Sequence, residues 1–104
     1  MTNILEKLDE VIKERKDSPE EESYVSFLNK KGISYAGEKV LEEAKELVDA
    51  TNSEPTERVI SEAADLWFHS IVLLSMRNLS SNDILLELEK RFGISGIAEK
   101  ESRK

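Results

Sequence analysis

The sequence predicts an all-α fold, a helical bundle of four to five helices within a single domain that covers residues 1–104. Apolar residues recur at intervals of three and four along most of the chain, which is the spacing of a buried helix face. No stretch alternates between apolar and polar residues as a half-buried strand does. A length of 104 residues suits one compact domain.

The first two helices are separated by a short polar stretch. Apolar positions predict helix one over residues 3–16, and Asp17-Ser18-Pro19 ends it. Ser18 followed by Pro19 resembles a helix start, because serine caps the free N–H groups and proline suits the first turn. Helix two is therefore predicted over residues 20–30, and Gly32 ends it.

Two longer helices occupy the middle of the chain. Helix three is predicted over residues 34–52, and helix four has Pro55 in its first turn and reaches Asn78. Their short connection predicts antiparallel packing. A fifth helix over residues 83–92 follows two candidate caps, Ser80 and Ser81, and Gly93 and Gly96 then lead into a charged tail.

Composition limits both the core and the partners. The hydrophobic fraction is 38% and the charged fraction 36%, so a homodimer, or a higher oligomer, would usefully enlarge a small core. A formal net charge of -7 argues against binding nucleic acid or an anionic membrane. The chain has no cysteine, signal peptide or apolar run long enough to span a bilayer, which is consistent with a cytoplasmic protein.

Acidic residues three apart occur on both central helices. Glu43 and Glu46 lie at the edge of the apolar arc of helix three, close to Lys39. Helix four is apolar around most of its circumference, which is typical of a buried helix, and Glu62, Asp65 and His69 share one narrow arc.

If the two helices face each other through these arcs, four carboxylates converge and repel one another. In such a cluster the side chains move apart, take up protons or bind a cation. Oxygen ligands without cysteine or a histidine pair suit Mg²⁺, Mn²⁺ or Ca²⁺ rather than zinc. The alternative is two ordinary polar stripes. His69 is either a hydrogen-bonded structural residue or a ligand, and Lys39 either pairs with Glu43 or binds phosphate.

Other catalytic arrangements fit poorly. The chain contains neither a phosphate-binding loop of the G-x-x-x-x-G-K-[ST] type nor an H-E-x-x-H motif. A single histidine excludes the pair of E-x-x-H motifs of a di-iron bundle.

The acidic pattern resembles that of the all-α nucleoside-triphosphate pyrophosphatase superfamily, which includes MazG-like enzymes. Here E-x-x-E at 43–46 precedes E-x-x-D at 62–65 by fifteen residues. Four further stretches are "VIKERKDSPEEESYV", "GEKVLEEAKELVDA", "SEAADLWFHSIVLL" and "LEKRFGISGIAEKESRK". They resemble the phosphoribosyl-ATP pyrophosphatase family in particular, and Leu41 departs from that family where glycine is usual.

This resemblance implies an activity, a metal and a set of ligands. It implies Mg²⁺-dependent hydrolysis of phosphoribosyl-ATP to phosphoribosyl-AMP and pyrophosphate, the second step of histidine biosynthesis, by a homodimer. Glu43, Glu46, Glu62 and Asp65 would hold the metal and form the catalytic centre. Lys39 is the first candidate for binding the nucleotide's phosphates, before Arg15, Lys16 and Arg91. Two alternatives stay open: a MazG-like pyrophosphatase with another substrate, and a non-catalytic helical dimerisation module.

Overall fold

The structure is a computed structural model that describes residues 3–19 and 23–92. Five α-helices follow one another in this part of the chain, and no strand occurs in it. The predicted all-α class is therefore confirmed. The helices are α1 (Ile4–Arg15), α2 (Tyr24–Lys31), α3 (Ile33–Ser53), α4 (Thr56–Ser75) and α5 (Ser81–Phe92).

The central feature is the hairpin of α3 and α4, which are 21 and 20 residues long. Only Glu54 and Pro55 connect them, so the chain must reverse direction at once. The two helices make the most extensive contact of any helix pair in the described chain. Ala36 and Ala50 are buried on α3, where short side chains permit close approach of the helices. This hairpin positions the acidic residues.

A small apolar core fastens α1 and α2 against α4. Its buried members come from three helices, and larger side chains such as Phe27 and Phe68 pack around them. The modest size of this core agrees with the low hydrophobic fraction of the chain. The buried members are Ile12, Val25, Leu28, Ile71 and Val72.

The start of α2 differs from the prediction. Residues 20–22, where helix two was predicted to begin, lie outside the described residues, and α2 starts at Tyr24. Its N-cap is Ser23, whose Oγ accepts a hydrogen bond from Ser26 N at 3.3 Å. Ser18 is not the cap; its carbonyl instead accepts a hydrogen bond from Ser26 Oγ. Gly32 ends α2 as predicted, with a φ of 96° that disfavours residues with a Cβ.

The end and the outer face of α4 also differ from the prediction. The helix stops at Ser75 rather than Asn78, because residues 76–78 form a turn in which Asn78 adopts a φ of 60°. The helix is not buried all round: Ile60 is 64% and Trp67 58% exposed, since no other part of the described chain covers them. No described helix combines the length and hydropathy needed to cross a bilayer. Residues from Gly93 onward lie outside the described part of the chain.

The start of α5 is fixed by two carboxylates. Asp83 Oδ2 accepts a hydrogen bond from Ser80 N at 2.9 Å, which satisfies one free N–H at the helix start. Asp9 of α1 reaches across and accepts from Ser81 N at 2.9 Å and from Ser81 Oγ at 2.7 Å. The side-chain caps predicted at Ser80 and Ser81 are not what the described hydrogen bonds show, because both serine hydroxyls act as donors. The carboxylates of Asp83 and Asp9 accept the N–H groups of Ser80 and Ser81 instead, and Asp9 connects the start of α5 to α1.

We expect Asp9→Ala to lower the free energy of unfolding by about 1.5 kcal/mol, because two charge-assisted hydrogen bonds disappear. Urea unfolding followed by circular dichroism measures the change. The control is Asp17→Ala, which removes an exposed carboxylate near the end of α1. Equal unfolding free energies for the two variants would contradict the role of Asp9.

Candidate metal centre

Three carboxylates from the α3–α4 hairpin lie close together. Glu43 comes from α3, and Glu62 and Asp65 come from facing positions one turn apart on α4. One ligand oxygen from each residue lies within 4.8 Å of the others. Three of the four residues predicted as metal ligands are thus brought together. A single divalent ion could contact all three oxygens after small side-chain movements.

Burial makes this cluster unusual. Glu62 is only 5% exposed, and its Oε1 accepts a hydrogen bond from Arg58 Nη2 at 2.5 Å. The second oxygens, Oε2 of Glu62 and Oε2 of Glu43, are buried without a hydrogen-bond donor among the described residues. Buried carboxylate oxygens need donors or cations. Arg58 supplies one positive charge to a group of three carboxylates and also lies 3.5 Å from Glu54.

The raised pKa of Glu62 shows that its negative charge is unfavourable in this arrangement. The close approach of the Glu46 carboxyl, with which Glu62 can share a proton, and burial raise the pKa of Glu62, and the charges of Glu46 and Asp65 raise it further. The Arg58 guanidinium lowers this pKa but does not cancel the rise. Without a cation the cluster therefore favours holding a proton.

Glu46 occupies a different position from the other three predicted ligands. It is exposed on α3 and does not belong to the group whose oxygens lie within 4.8 Å of one another. Its carboxyl instead approaches Glu62, and a hydrogen bond between them requires a proton on one of the two. Its assignment as a metal ligand stays a prediction.

His69 has hydrogen-bond partners at both ring nitrogens. Nδ1 lies 2.8 Å from the carbonyl oxygen of Asp65, which can only accept, so Nδ1 carries the proton. Nε2 then accepts a hydrogen bond from the Tyr24 hydroxyl at 2.9 Å. The geometry supports the structural interpretation of His69 rather than the ligand interpretation. The pair connects α2 to the backbone of Asp65.

Sequence reasoning missed Tyr24 as part of this site. Its partner His69 lies 45 residues away, and no local pattern in the sequence indicates that contact. Tyr24 also stacks between Phe27 and Phe68, with ring centroids 6.0 and 6.2 Å away. Burial raises the pKa of Tyr24, and Lys39 partly opposes that rise. The hydroxyl thus stays protonated and donates to His69.

Lys39 does not pair with Glu43 as one interpretation of the sequence expected. Its Nζ lies 3.4 Å from Glu42 Oε2, three residues further along α3, and 5.9 Å from the centre of the Tyr35 ring. The charge of Glu42 raises the pKa of Lys39. Glu42 is more than half exposed, so this ion pair is weak and can yield to a phosphate.

The other basic candidates are not brought to the acidic cluster. Arg91 pairs with Glu87 at 2.8 Å on α5. Lys16 lines the same cavity as Ser75 and Asn78 at the far end of α4. Ser75 is about 15 Å from Asp65 by helical rise. No described contact places Arg15 near the cluster.

The donor set suits a hard divalent cation. All three converging ligands are carboxylates, which Mg²⁺ and Mn²⁺ prefer, and no thiolate or free imidazole competes. The two buried oxygens without donors would gain a partner when a cation binds. The fold and the site together define an all-α protein with a cluster of three carboxylates whose oxygens suit a divalent ion.

Comparison with known proteins gives the family. The family described as phosphoribosyl-ATP pyrophosphohydrolase matches residues 5–92. A protein named phosphoribosyl-ATP pyrophosphatase from Geotalea daltonii is 48% identical over 101 residues, covering 97% of this chain and 95% of its own. Proteins of the same name from Hydrogenovibrio crunogenus and Ruthia magnifica are 46% and 42% identical, covering 97% and 99% of this chain and 93% and 98% of theirs. The chain belongs to the phosphoribosyl-ATP pyrophosphohydrolase family.

We expect Glu62→Gln to raise the melting temperature of the metal-free protein at pH 7.5. A carboxyl whose pKa is raised by folding favours the folded state below its unfolded value of 4.5, and this contribution is lost as pH rises through the folded pKa. The amide of glutamine is neutral at every pH, so the variant does not lose this stability as the pH rises. Thermal unfolding with EDTA from pH 4 to pH 8 measures the difference, which should shrink toward low pH.

The same variant should lose the stabilisation that Mg²⁺ gives the wild type. Glu38→Gln, an exposed residue on the other side of α3, serves as the control and should keep it. A metal-free Glu62→Gln protein that melts below the wild type at pH 7.5 would contradict the claim that the charge of Glu62 destabilises the metal-free fold.

Proposed function

We propose that the protein hydrolyses phosphoribosyl-ATP to phosphoribosyl-AMP and pyrophosphate with Mg²⁺, as the second step of histidine biosynthesis. The convergence of Glu43, Glu62 and Asp65, with two buried oxygens lacking donors, is the observation that carries this proposal. A relative that is 48% identical over 101 residues bears the name of this activity. We propose further that residues 1–104 act as one domain in the cytoplasm, because the substrate is built from ATP.

The carboxylates explain how an acidic protein can bind a polyphosphate. At a net charge of -7 the chain would repel its substrate, and three converging carboxylates would increase that repulsion. Bound Mg²⁺ would reverse the local sign, polarise the α-phosphate and lower the pKa of an attacking water. Glu43, Glu62 and Asp65 would hold the ion, and Arg58 would fix the orientation of Glu62.

Glu46 is our candidate for the general base. It is exposed, lies outside the three-ligand group and approaches Glu62 closely enough to share a proton. The water oxygen forms a bond to the α-phosphorus, and the bond from that phosphorus to pyrophosphate breaks. Glu46 takes the proton of the water. Lys39 leaves its exposed partner Glu42 and contacts a phosphate of the substrate.

We expect Asp65→Asn to lower kcat/KM for phosphoribosyl-ATP by at least about 100-fold. Mutating a residue that only hydrogen-bonds to a metal ligand costs up to about 100-fold, and loss of a ligand itself should cost at least as much. Release of pyrophosphate at saturating Mg²⁺ measures the rate, and ATP and dUTP serve as competing substrates. The control Asp49→Asn removes an exposed carboxylate that pairs with Lys45 on α3, and it should keep full activity.

Three outcomes separate the alternatives. Turnover of ATP or dUTP in preference to phosphoribosyl-ATP would favour a MazG-like enzyme of other specificity. Wild-type protein without turnover and without stabilisation by Mg²⁺ would favour the dimerisation module. Full activity in Asp65→Asn would remove that residue from the site.

We also propose that the protein is a homodimer, assembled through an apolar groove. The groove has a volume of about 370 Å³ and lies between α1, α4 and α5. On its rim, Trp67 is 58% and Leu88 45% exposed. Such a groove is costly to leave in water, and a small chain gains core by pairing. Its apolar lining includes Leu5, Leu66, Trp67, Ile71, Leu74, Ile84, Leu85 and Leu88.

We expect the wild type to sediment at twice the chain mass of 11.8 kDa and Trp67→Glu to sediment as a monomer. Sedimentation equilibrium at micromolar protein measures both. Because Trp67 is largely exposed in the single chain, its replacement leaves the monomer core intact. Val48→Glu, an exposed apolar position on α3 outside the groove, is the control. A dimeric Trp67→Glu protein would contradict this interface.

A further inference from the structure

Two lysines share one aromatic ring near the junction of α2 and α3. Lys31 Nζ lies 5.8 Å and Lys39 Nζ 5.9 Å from the centre of the Tyr35 ring. Lys31 also lies 5.6 Å from the centre of the Phe27 ring, which meets Tyr35 edge to face at 5.8 Å. Both ammonium groups are therefore held near the Tyr35 ring through cation–π contacts.

This surface carries an excess of positive charge in an acidic protein. Glu42 pairs with Lys39, whereas Lys31 has no carboxylate within ion-pair distance in the described part of the chain. Two like charges near one ring repel each other, and a bound anion offsets that repulsion. Each ammonium group can donate a charge-assisted hydrogen bond to a phosphate oxygen.

The lysine surface borders the carboxylate centre. Tyr24 stacks on Phe27 at 6.0 Å, and its hydroxyl bonds to His69, whose Nδ1 donates to the Asp65 carbonyl. Tyr24 also lies close enough to Lys39 and Glu43 to feel both charges. One ligand can therefore span from Glu43 to the lysines along α3.

Phosphoribosyl-ATP has two separate anionic ends. The triphosphate requires the carboxylate centre, and the second ribose carries a lone phosphate monoester. We propose that Lys31 and Lys39, held by Tyr35, bind this monoester; the inference rests on the proposed function. Ordinary nucleoside triphosphates lack the monoester, so Lys31 distinguishes the substrate from them.

The test compares Lys31→Ala with the wild type in steady-state hydrolysis of phosphoribosyl-ATP. We expect KM to rise about tenfold, as for the loss of one charge-assisted hydrogen bond, while kcat stays within about twofold. Inhibition by phosphoribosyl-AMP, which keeps the monoester, should weaken by the same factor. Inhibition by pyrophosphate, which reports the other end of the substrate, should not change.

Lys45→Ala removes an equal charge from the solvated face of α3 and should leave KM unchanged. Lys31→Arg should restore most of the binding. An unchanged KM in Lys31→Ala, an equal rise in Lys45→Ala, or weaker inhibition by pyrophosphate would each overturn the subsite. Wild-type protein that fails to hydrolyse phosphoribosyl-ATP would instead overturn the proposed function itself.

Discussion

The structure depends on the repulsion among three carboxylates that the α3–α4 hairpin holds within 4.8 Å of one another. Glu62 is buried, and Arg58 is the one cation that contacts its carboxylate in the described chain. Like charges at this distance, partly out of water, are unfavourable unless a proton or a cation joins them. The raised pKa of Glu62 reflects the first response, and the proposed Mg²⁺ site is the second.

The rest of the fold holds this unfavourable cluster in place. Buried alanines let α3 approach α4, and the two-residue connection fixes their alignment. The core formed by α1, α2 and α4 anchors the hairpin, and the Tyr24–His69 hydrogen bond ties α2 to the backbone of Asp65. The polar arc and the exposed apolar groove lie on different faces of α4, so one helix can carry the site and also face the proposed partner subunit.

Local signals in the sequence were sufficient for the helices but not for every contact. Apolar spacing predicted all five helices, and the glycine at position 32 ends α2 as expected. The cap of α2 was assigned to Ser18 rather than Ser23, because both sequences resemble helix starts and only tertiary packing distinguishes them. Spacing placed Glu43 and Asp65 each on one arc of its helix, and the packing of these two arcs against each other was a hypothesis. Spacing could not separate Glu46 from the converging group, or pair Tyr24 with a histidine 45 residues away.

Diffraction from crystals soaked in Mn²⁺ tests the central claim most directly, because the ion gives an anomalous signal that protein atoms lack. We expect one strong anomalous peak between Glu43, Glu62 and Asp65, with carboxylate oxygens at about 2.2 Å, a normal distance for a hard divalent ion. A peak elsewhere, or no peak while the three side chains remain together, would contradict it.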